Sequence, residues 1–219
     1  MAASKLPGTT FPSASGRDSD RWQTYKRMPS VVLAFHGCDA AVGRRLLAGQ
    51  IANLAPSENS YDWLGTGIYF WEADPWRALE WAEAAAENRR MTARPVMTPY
   101  VVGAVIDLGR CCNLLDASTR AEAINAFEFI SAVFQASATA FPENQGGADR
   151  VLRFRDRAVV EAIHDLRNEA GEPPYDSVRA AFPEGDALYP GAGFRARSHI
   201  QLAVRNPDCI KGYFRLPGL

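Results

Sequence analysis

Six short runs of apolar, strand-forming residues are spread along the chain, and their order relative to the helical patterns restricts the fold most strongly. Helices separate the first three runs, whereas only turn-rich segments separate the last three. The runs are residues 31–35, 68–71, 100–108, 177–182, 199–205 and 209–216. A doubly wound parallel sheet needs regular alternation of strand and helix, so this order predicts a mixed α+β fold.

Capping residues mark where the predicted helices begin. Asp39 precedes the run "AAVGRRLLA", and Asp74 followed by Pro75 precedes "PWRALEWAEAAAENRR". Aspartate accepts hydrogen bonds from the free N–H groups at a helix start, and proline is tolerated in the first turn. Two further helical stretches, the first capped by Ser118, predict a helical insertion over residues 118–170.

The length of 219 residues suits a single domain with an elaboration. Residues 1–29 are rich in Ser, Gly, Pro and charge and predict a flexible N-terminal arm, so the domain is expected over residues 30–219. No run reaches the roughly 18 apolar residues of a membrane-spanning helix, and the N-terminus lacks the apolar middle of a signal peptide. We therefore expect a cytoplasmic protein without a membrane partner.

Charge and cysteine content exclude several function classes. The formal net charge is -1, so no overall field attracts nucleic acid or acidic lipid, and such binding would need a local patch. The four cysteines show no CxxC spacing, and the three histidines form no HExxH pair. We therefore expect no metal site and no disulfide framework.

Two short stretches carry candidate binding residues. His36 and Gly37 end the first predicted strand, where a glycine lets a ligand approach the main chain and an imidazole can bind a hydroxyl. Tyr69 follows two glycines, Gly65 and Gly67, in "GTGIYFW". Alternation along a strand puts the Tyr and Trp of this run on one face and its Ile and Phe on the other. A flat aromatic ring opposite a histidine suits a planar, positively charged ligand.

These stretches, with a glutamine inside a late strand, resemble the three-part signature of the ADP-ribosyltransferase superfamily, in the branch related to poly-ADP-ribose polymerases and diphtheria toxin. "FHGC", "GTGIYF" and "SHIQLAVRNPDCIKGYF" follow one another in the order that the family needs. The resemblance spans about residues 31–215, without the helical block over about residues 118–170, and aligns His36, Tyr69 and Gln201 with the signature. It implies a split pair of small, mainly antiparallel sheets with flanking helices and a helical insertion.

The resemblance also implies that NAD is consumed as a substrate rather than recycled as a redox cofactor. His36 would bind the adenosine ribose, the Gly37 main chain would pair with the nicotinamide carboxamide, and Tyr69 would stack on the nicotinamide ring. Gly67 would let the ligand come near the chain. Departure of nicotinamide would leave an oxocarbenium-like ribose that an acceptor attacks from the opposite face.

The third residue departs from the signature, because Gln201 stands where the family usually has an acid. Glutamine can bind a ribose hydroxyl, but it can neither act as a base nor supply negative charge. Single transfer to an intrinsically nucleophilic acceptor is therefore expected rather than polymer formation, unless another carboxylate takes over the role. Five loop acids are candidates for that role: Glu58, Asp62, Glu72, Glu184 and Asp186.

A basic stripe forms a second candidate site. If "RVLRFRDR" is helical, Arg150, Arg153 and Arg157 share one face of the helix. Such a stripe is either a solvated surface or a binding site for phosphate groups. The phosphates would be those of the NAD pyrophosphate or of a phosphate-bearing acceptor. Arg195 and Arg197, just before Gln201, could join it.

Three functions remain open at this point. The first is a mono-ADP-ribosyltransferase acting on a protein or nucleic-acid acceptor, as a bacterial toxin or defence effector that could be paired with a cognate antitoxin or inhibitor protein. The second is an NAD glycohydrolase, in which water is the acceptor. The third is a catalytically inactive module that binds NAD or ADP-ribose. His36 and Tyr69 fit all three, so they do not separate them.

Overall fold

The structure is a computed structural model that describes residues 30–92 and 94–218. The predicted N-terminal arm, residues 1–29, lies outside the described residues. The strands are β1 (Val31–Asp39), β2 (Ile68–Glu72), β3 (Pro99–Asp107), β4 (Cys111–Asn113), β5 (Ser177–Phe182), β6 (His199–Val204) and β7 (Ile210–Arg215). The α-helices are α1 (Ala40–Leu47), α2 (Pro75–Glu87), α3 (Ala117–Ala136) and α4 (Phe154–Glu169).

All seven strands belong to one mixed sheet with the order β4-β5-β6-β2-β1-β3-β7. Neighbouring strands are antiparallel, except that β4 and β5 are parallel. The predicted α+β class is therefore confirmed. The expected pair of separate sheets is wrong, because β1 and β2 pair with each other and join the two halves.

The join between β1 and β2 is short. The two strands pair only at Ala34 with Glu72 and at Phe35 with Trp71. Beyond Phe35, β1 stays paired with β3 as far as Asp39, while β2 pairs with β6 along its other edge. The sheet is thus continuous at one end of β1 and open between β1 and β2 at the other.

One face of the sheet carries the larger apolar cluster. Ile68, Phe70 and Leu202 lie on this face with at most 2% of each residue exposed, and Leu46 of α1 packs against the same cluster. These residues alternate along their strands, as expected for side chains that share one face. Helix α1 therefore covers this side of the sheet.

The opposite face is covered by two different helices. Ala78 of α2 packs with Phe35 and Trp71, near the centre of the sheet. Val160 and Ile163 of α4 pack on the other half, against β5 and β6. The region predicted as a helical insertion therefore contributes α4 to the core of the domain.

The predicted caps at Asp39 and Asp74 are confirmed. Asp39 accepts a hydrogen bond from the Ala41 N–H, and Asp74 accepts one from the Arg77 N–H. The predicted cap at Ser118 is wrong by two residues, because Asp116 is the cap and its side chain accepts a hydrogen bond from the Ser118 N–H. Ser118 therefore lies inside the first turn of the helix.

Candidate functional site

His36 lies just beyond the point where β1 and β2 stop pairing. Its Nδ1 is 2.7 Å from the carbonyl oxygen of Tyr69. A carbonyl only accepts hydrogen bonds, so Nδ1 carries the proton and donates. Burial lowers the pKa of His36, more than the hydrogen bond to Tyr69 raises it. The ring is therefore neutral at pH 7, and its Nε2 is a hydrogen-bond acceptor.

Tyr69 is held by its own turn. Its hydroxyl donates to the Gly65 carbonyl at 2.7 Å and accepts the Leu64 N–H at 3.0 Å. Burial, followed by the charge of Asp62, raises the pKa of this phenol well above its usual value. The hydroxyl thus stays protonated and fixes the ring, which remains half-buried at the sheet surface.

The side chains of His36 and Tyr69 lie on opposite faces of the sheet. The His36 ring packs against Phe70, with ring centroids 5.8 Å apart, whereas Tyr69 packs with the cluster beneath α4. The predicted division of "IYFW" is confirmed, since Phe70 belongs to one face and Tyr69 and Trp71 to the other. His36 contacts the main chain of Tyr69 and not its ring. A ligand that contacts both side chains must therefore lie in the opening between β1 and β2.

Gln201 lies on β6 directly opposite Trp71 of β2, while Tyr69 pairs with Ala203. Tyr69, Trp71 and Gln201 therefore share one face, and Tyr69 is a diagonal neighbour of Gln201 at about 7–8 Å. Only 4% of Gln201 is exposed, and its buried Oε1 has no hydrogen-bond partner. The structure thus brings His36, Tyr69 and Gln201 onto three adjacent strands, β1, β2 and β6.

Gly37 and Gly67 each have a packing role. A Cβ at Gly37 would lie 2.2 Å from the carbonyl oxygen of Ala78, so α2 sits directly on the main chain of β1. A Cβ at Gly67 would lie 3.0 Å from the Val204 carbonyl oxygen on β6. At both positions another stretch of main chain comes too close for a Cβ. This packing explains why both residues are glycine, whether or not a ligand also approaches them.

The candidate carboxylates differ sharply in their surroundings. Glu72 forms a bidentate ion pair with Arg179, at 2.6 and 2.7 Å. Asp62 belongs to the turn before Gly65, where it accepts the Asn59 N–H. Glu58 and Asp186 are exposed. Glu184 alone of the five is buried, at 5% exposure, and it pairs with Arg77 of α2 at 3.3 Å.

A cluster of partly and fully buried side chains includes Gln201, and we call it the His199 cluster. It consists of Trp63, Trp71, Arg77, Phe182, Glu184, His199 and Gln201. Five of these side chains bury a polar atom that has no hydrogen-bond partner. They are Trp71 (Nε1), Arg77 (Nε), Glu184 (Oε1), His199 (Nε2) and Gln201 (Oε1).

Buried polar groups without partners are rare in folded proteins, and each costs about 1–3 kcal/mol. Five in one cluster therefore indicate a place where a polar ligand or ordered water supplies the missing hydrogen bonds. The sequence signal for His199 was its position two residues before Gln201, which puts both side chains on one face of a strand. The rest of the cluster comes from distant segments and carried no such signal.

The predicted basic stripe is only partly correct. Helix α4 begins at Phe154, so Arg150 precedes it and is exposed. Arg153 lies over the Trp63 ring at 5.2 Å, and Arg157 donates to Thr66 Oγ1 at 3.2 Å. Both guanidinium groups also bury a nitrogen without a partner, Nε of Arg153 and Nη1 of Arg157. They lie against the turn before Tyr69 and are not a solvated face.

Glu161 of α4 ties this turn to the rest of the domain. Its carboxylate accepts the Thr66 N–H at 2.7 Å and pairs with Arg157 and Arg205. Burial by itself raises the pKa of Glu161, but the Thr66 N–H and then Arg205 outweigh it, and the pKa is lowered. The ionised carboxylate therefore anchors the segment that carries Tyr69.

Other features of the described residues lie away from this region. A shallow cavity of about 330 Å³ is lined by Arg44, Leu47, Ala48, Tyr100 and Arg215 and includes none of the predicted site residues. Within residues 30–92 and 94–218, no group of three or more His, Cys, Asp or Glu side chains is arranged to hold a metal ion. No helix in the same described ranges is long and apolar enough to cross a membrane.

Comparison with known proteins does not assign the chain to a family. No family model matches it, and neither a curated protein nor a solved structure matches it.

Proposed function

We propose that the chain is a mono-ADP-ribosyltransferase, which transfers ADP-ribose from NAD to a protein or nucleic-acid acceptor and releases nicotinamide. The observation that carries this proposal is that His36, Tyr69 and Gln201 lie on three adjacent strands where β1 and β2 separate, with His36 bound to the Tyr69 carbonyl. These residues are far apart in the sequence. Their placement around the opening supports a single ligand that lies in it and reaches all three, as the resemblance to the ADP-ribosyltransferase superfamily implies.

Each residue has a definite part in holding NAD as the substrate. His36 Nε2 accepts a hydrogen bond from a hydroxyl of the adenosine ribose, because Nδ1 is already bound to the Tyr69 carbonyl. The fixed ring of Tyr69 offers a flat face to nicotinamide. The main chain of Gly37, on the edge of β1 that no longer pairs with β2, pairs with the carboxamide. Gln201 Oε1 accepts a hydrogen bond from a hydroxyl of the nicotinamide ribose.

This arrangement lowers the barrier mainly by positioning. Contacts at both ends of the substrate orient the glycosidic bond for attack on the ribose carbon. The Gln201 amide dipole stabilises developing positive charge less than a carboxylate does. We therefore expect one slow transfer for each acceptor and no polymer.

An enzyme that consumes NAD inside a cell suits a toxin or a defence effector. We propose the cytoplasm as its place of action, since the substrate and the acceptors are there, and a cognate antitoxin or inhibitor protein as a further partner. Expression in a bacterial host tests this role. We expect growth inhibition by the wild type and relief of that inhibition in His36→Ala.

The biochemical test uses purified protein and NAD labelled in the adenosine part, with and without cell lysate fractions. We expect His36→Ala and Tyr69→Ala each to lower NAD turnover at least about tenfold, a loss of about 1.4 kcal/mol of transition-state positioning. Matched controls are His164→Asn and Tyr213→Ala, which change a buried histidine of α4 and a half-buried tyrosine of β7. Both controls should keep the wild-type rate.

The fate of the label separates the candidate functions. Label on protein or nucleic acid supports transfer, whereas free ADP-ribose as the sole product supports an NAD glycohydrolase. Unchanged NAD contradicts both activities and leaves the binding module, which calorimetry with NAD then tests. Gln201→Glu should keep or increase NAD hydrolysis, and its complete loss would count against the role given to Gln201.

A further inference from the structure

We propose that His199 is the base that accepts the proton of the attacking hydroxyl, in place of the carboxylate that Gln201 lacks. This inference rests on the proposed function and adds a catalytic residue to it. Its starting point is the orphaned Nε2 of His199, which is buried on the face of β6 that also carries the orphaned Oε1 of Gln201.

The hydrogen bonding of His199 fixes which nitrogen can accept a proton. Nδ1 is 2.8 Å from the carbonyl oxygen of Arg197, and a carbonyl only accepts, so Nδ1 carries the proton. Nε2 then holds a free lone pair. Burial is the largest influence and lowers the pKa of His199, so the ring is neutral at pH 7 and ready to act as a base.

Three aromatic rings enclose the imidazole. The centroids of Phe182, Trp63 and Trp71 are 5.7, 6.1 and 6.4 Å from that of His199. Trp71 and Phe182 are at most 8% exposed, whereas Trp63 is half-buried on the turn before Tyr69. Trp63 is thus the most exposed of the three residues around the imidazole.

Charged groups from each element packed around His199 set its basicity. Glu184, in the loop after β5, raises the pKa, and Asp74 at the start of α2 does the same to a smaller extent. Arg77 of α2 lowers it. Arg153, just before α4, lies over the Trp63 ring and brings a further positive charge to the same side. Once protonated, the imidazolium is stabilised first by the hydrogen bond to the Arg197 carbonyl and then by Glu184.

The position of His199 suits the reaction. It lies two residues before Gln201 on the same face of β6, and Gln201 is directly opposite Trp71. The oxygen of the attacking hydroxyl forms a bond to the ribose carbon as its proton passes to His199 Nε2. The bond from that carbon to the nicotinamide nitrogen breaks, and nicotinamide leaves with the electron pair. The imidazolium then releases its proton to water, so one proton is produced for each transfer.

The test compares wild-type protein with His199→Asn, using NAD and either water, methanol or azide as the nucleophile. The asparagine amide can still donate to the Arg197 carbonyl, but it has no basic nitrogen. We expect turnover with water or methanol to fall about 100-fold, the usual contribution of a general base. Azide carries no proton to remove, so it should restore turnover in the variant. A purely structural role of His199 gives no such rescue.

His164→Asn is the matched control, because His164 is a buried histidine of α4 whose two ring nitrogens also have no partner. It should keep wild-type turnover with all three nucleophiles. The pH profile of the wild type gives a second measurement that does not depend on a variant. Turnover with methanol should decrease as the pH falls below an apparent pKa that is under 6.5. Turnover with azide should show no such decrease in the same pH range.

Three outcomes would overturn the inference. Wild-type turnover in a folded His199→Asn, or equal pH profiles with methanol and azide, refutes the base role and leaves the proposed function intact. Wild-type protein that neither binds nor consumes NAD refutes the proposed function and this inference together. NAD binding by calorimetry, measured for wild type and variant, distinguishes the two failures.

Discussion

Substitution of Gly37 by alanine tests how α2 is seated on the sheet. The added Cβ would lie 2.2 Å from the Ala78 carbonyl oxygen and 3.2 Å from the Ala82 Cβ. The carbonyl belongs to the helix backbone, so no rotamer change relieves the contact. Helix α2 must move away by about 1 Å or more to restore an ordinary van der Waals distance.

The expected loss of stability follows from this displacement. Overpacking of a core costs about 1–3 kcal/mol, and a clash with backbone on both sides belongs at the upper end, near 3 kcal/mol. For a domain of this size each kcal/mol shifts Tm by about 2–4 °C, so Tm should fall by roughly 6–12 °C. Thermal and urea unfolding followed by circular dichroism measure both quantities.

The matched control is Gly212→Ala in β7, where an added Cβ meets no heavy atom within 4 Å. Gly212→Ala should lower the free energy of unfolding by less than about 0.5 kcal/mol. If Gly37→Ala is as stable as Gly212→Ala, the packing explanation for Gly37 is refuted. The glycine would then need another explanation, such as the approach of a ligand to the main chain.

Two further predictions concern buried ionisable groups. Burial, with a smaller contribution from Arg205, lowers the pKa of His164 from 6.5 to about 4, so the unfolded chain binds more protons between these values. Protonation of His164 in the unfolded chain should therefore lower the free energy of unfolding by about 3 kcal/mol as pH falls from 6.5 to 4. In His164→Gln this decrease should be absent, as measured by urea unfolding across the same pH range. Glu72→Gln leaves the Arg179 guanidinium, 8% exposed, without a counter-charge. We expect a loss of about 3 kcal/mol at pH 7, and a loss no larger than that of an exposed Glu58→Gln control would contradict the pairing.

Much of the local structure could be predicted from the sequence. The two faces of "IYFW" and the caps at Asp39 and Asp74 follow from interactions within a few residues, and the structure has them as expected. The α3 cap was placed at Ser118 instead of Asp116, because both residues are good caps and they lie two positions apart. Local chemistry left that choice open.

The surroundings of the candidate site could not be predicted in the same way. Glu72 looked like a loop acid, yet it pairs with Arg179, 107 residues further along the chain. Glu184 is also a loop acid in the sequence, yet it is buried against Arg77, again 107 residues away. Whether a carboxylate is solvated or buried depends on which strands become neighbours, and that information does not lie near it in the sequence.

The sequence by itself determined the four helices and all the strands of the described residues except the short β4, where two of the helices begin, and which residues of β2 share a face. These properties depend on backbone preferences and hydrogen bonds over a few residues. Only the tertiary structure decided that the strands form one sheet joined by two residue pairs between β1 and β2. It also decided that His199 and Gln201 each bury an unpaired polar atom on the same face of β6. Those arrangements depend on pairing and packing between segments that are distant in the chain, where many combinations satisfy the same local preferences.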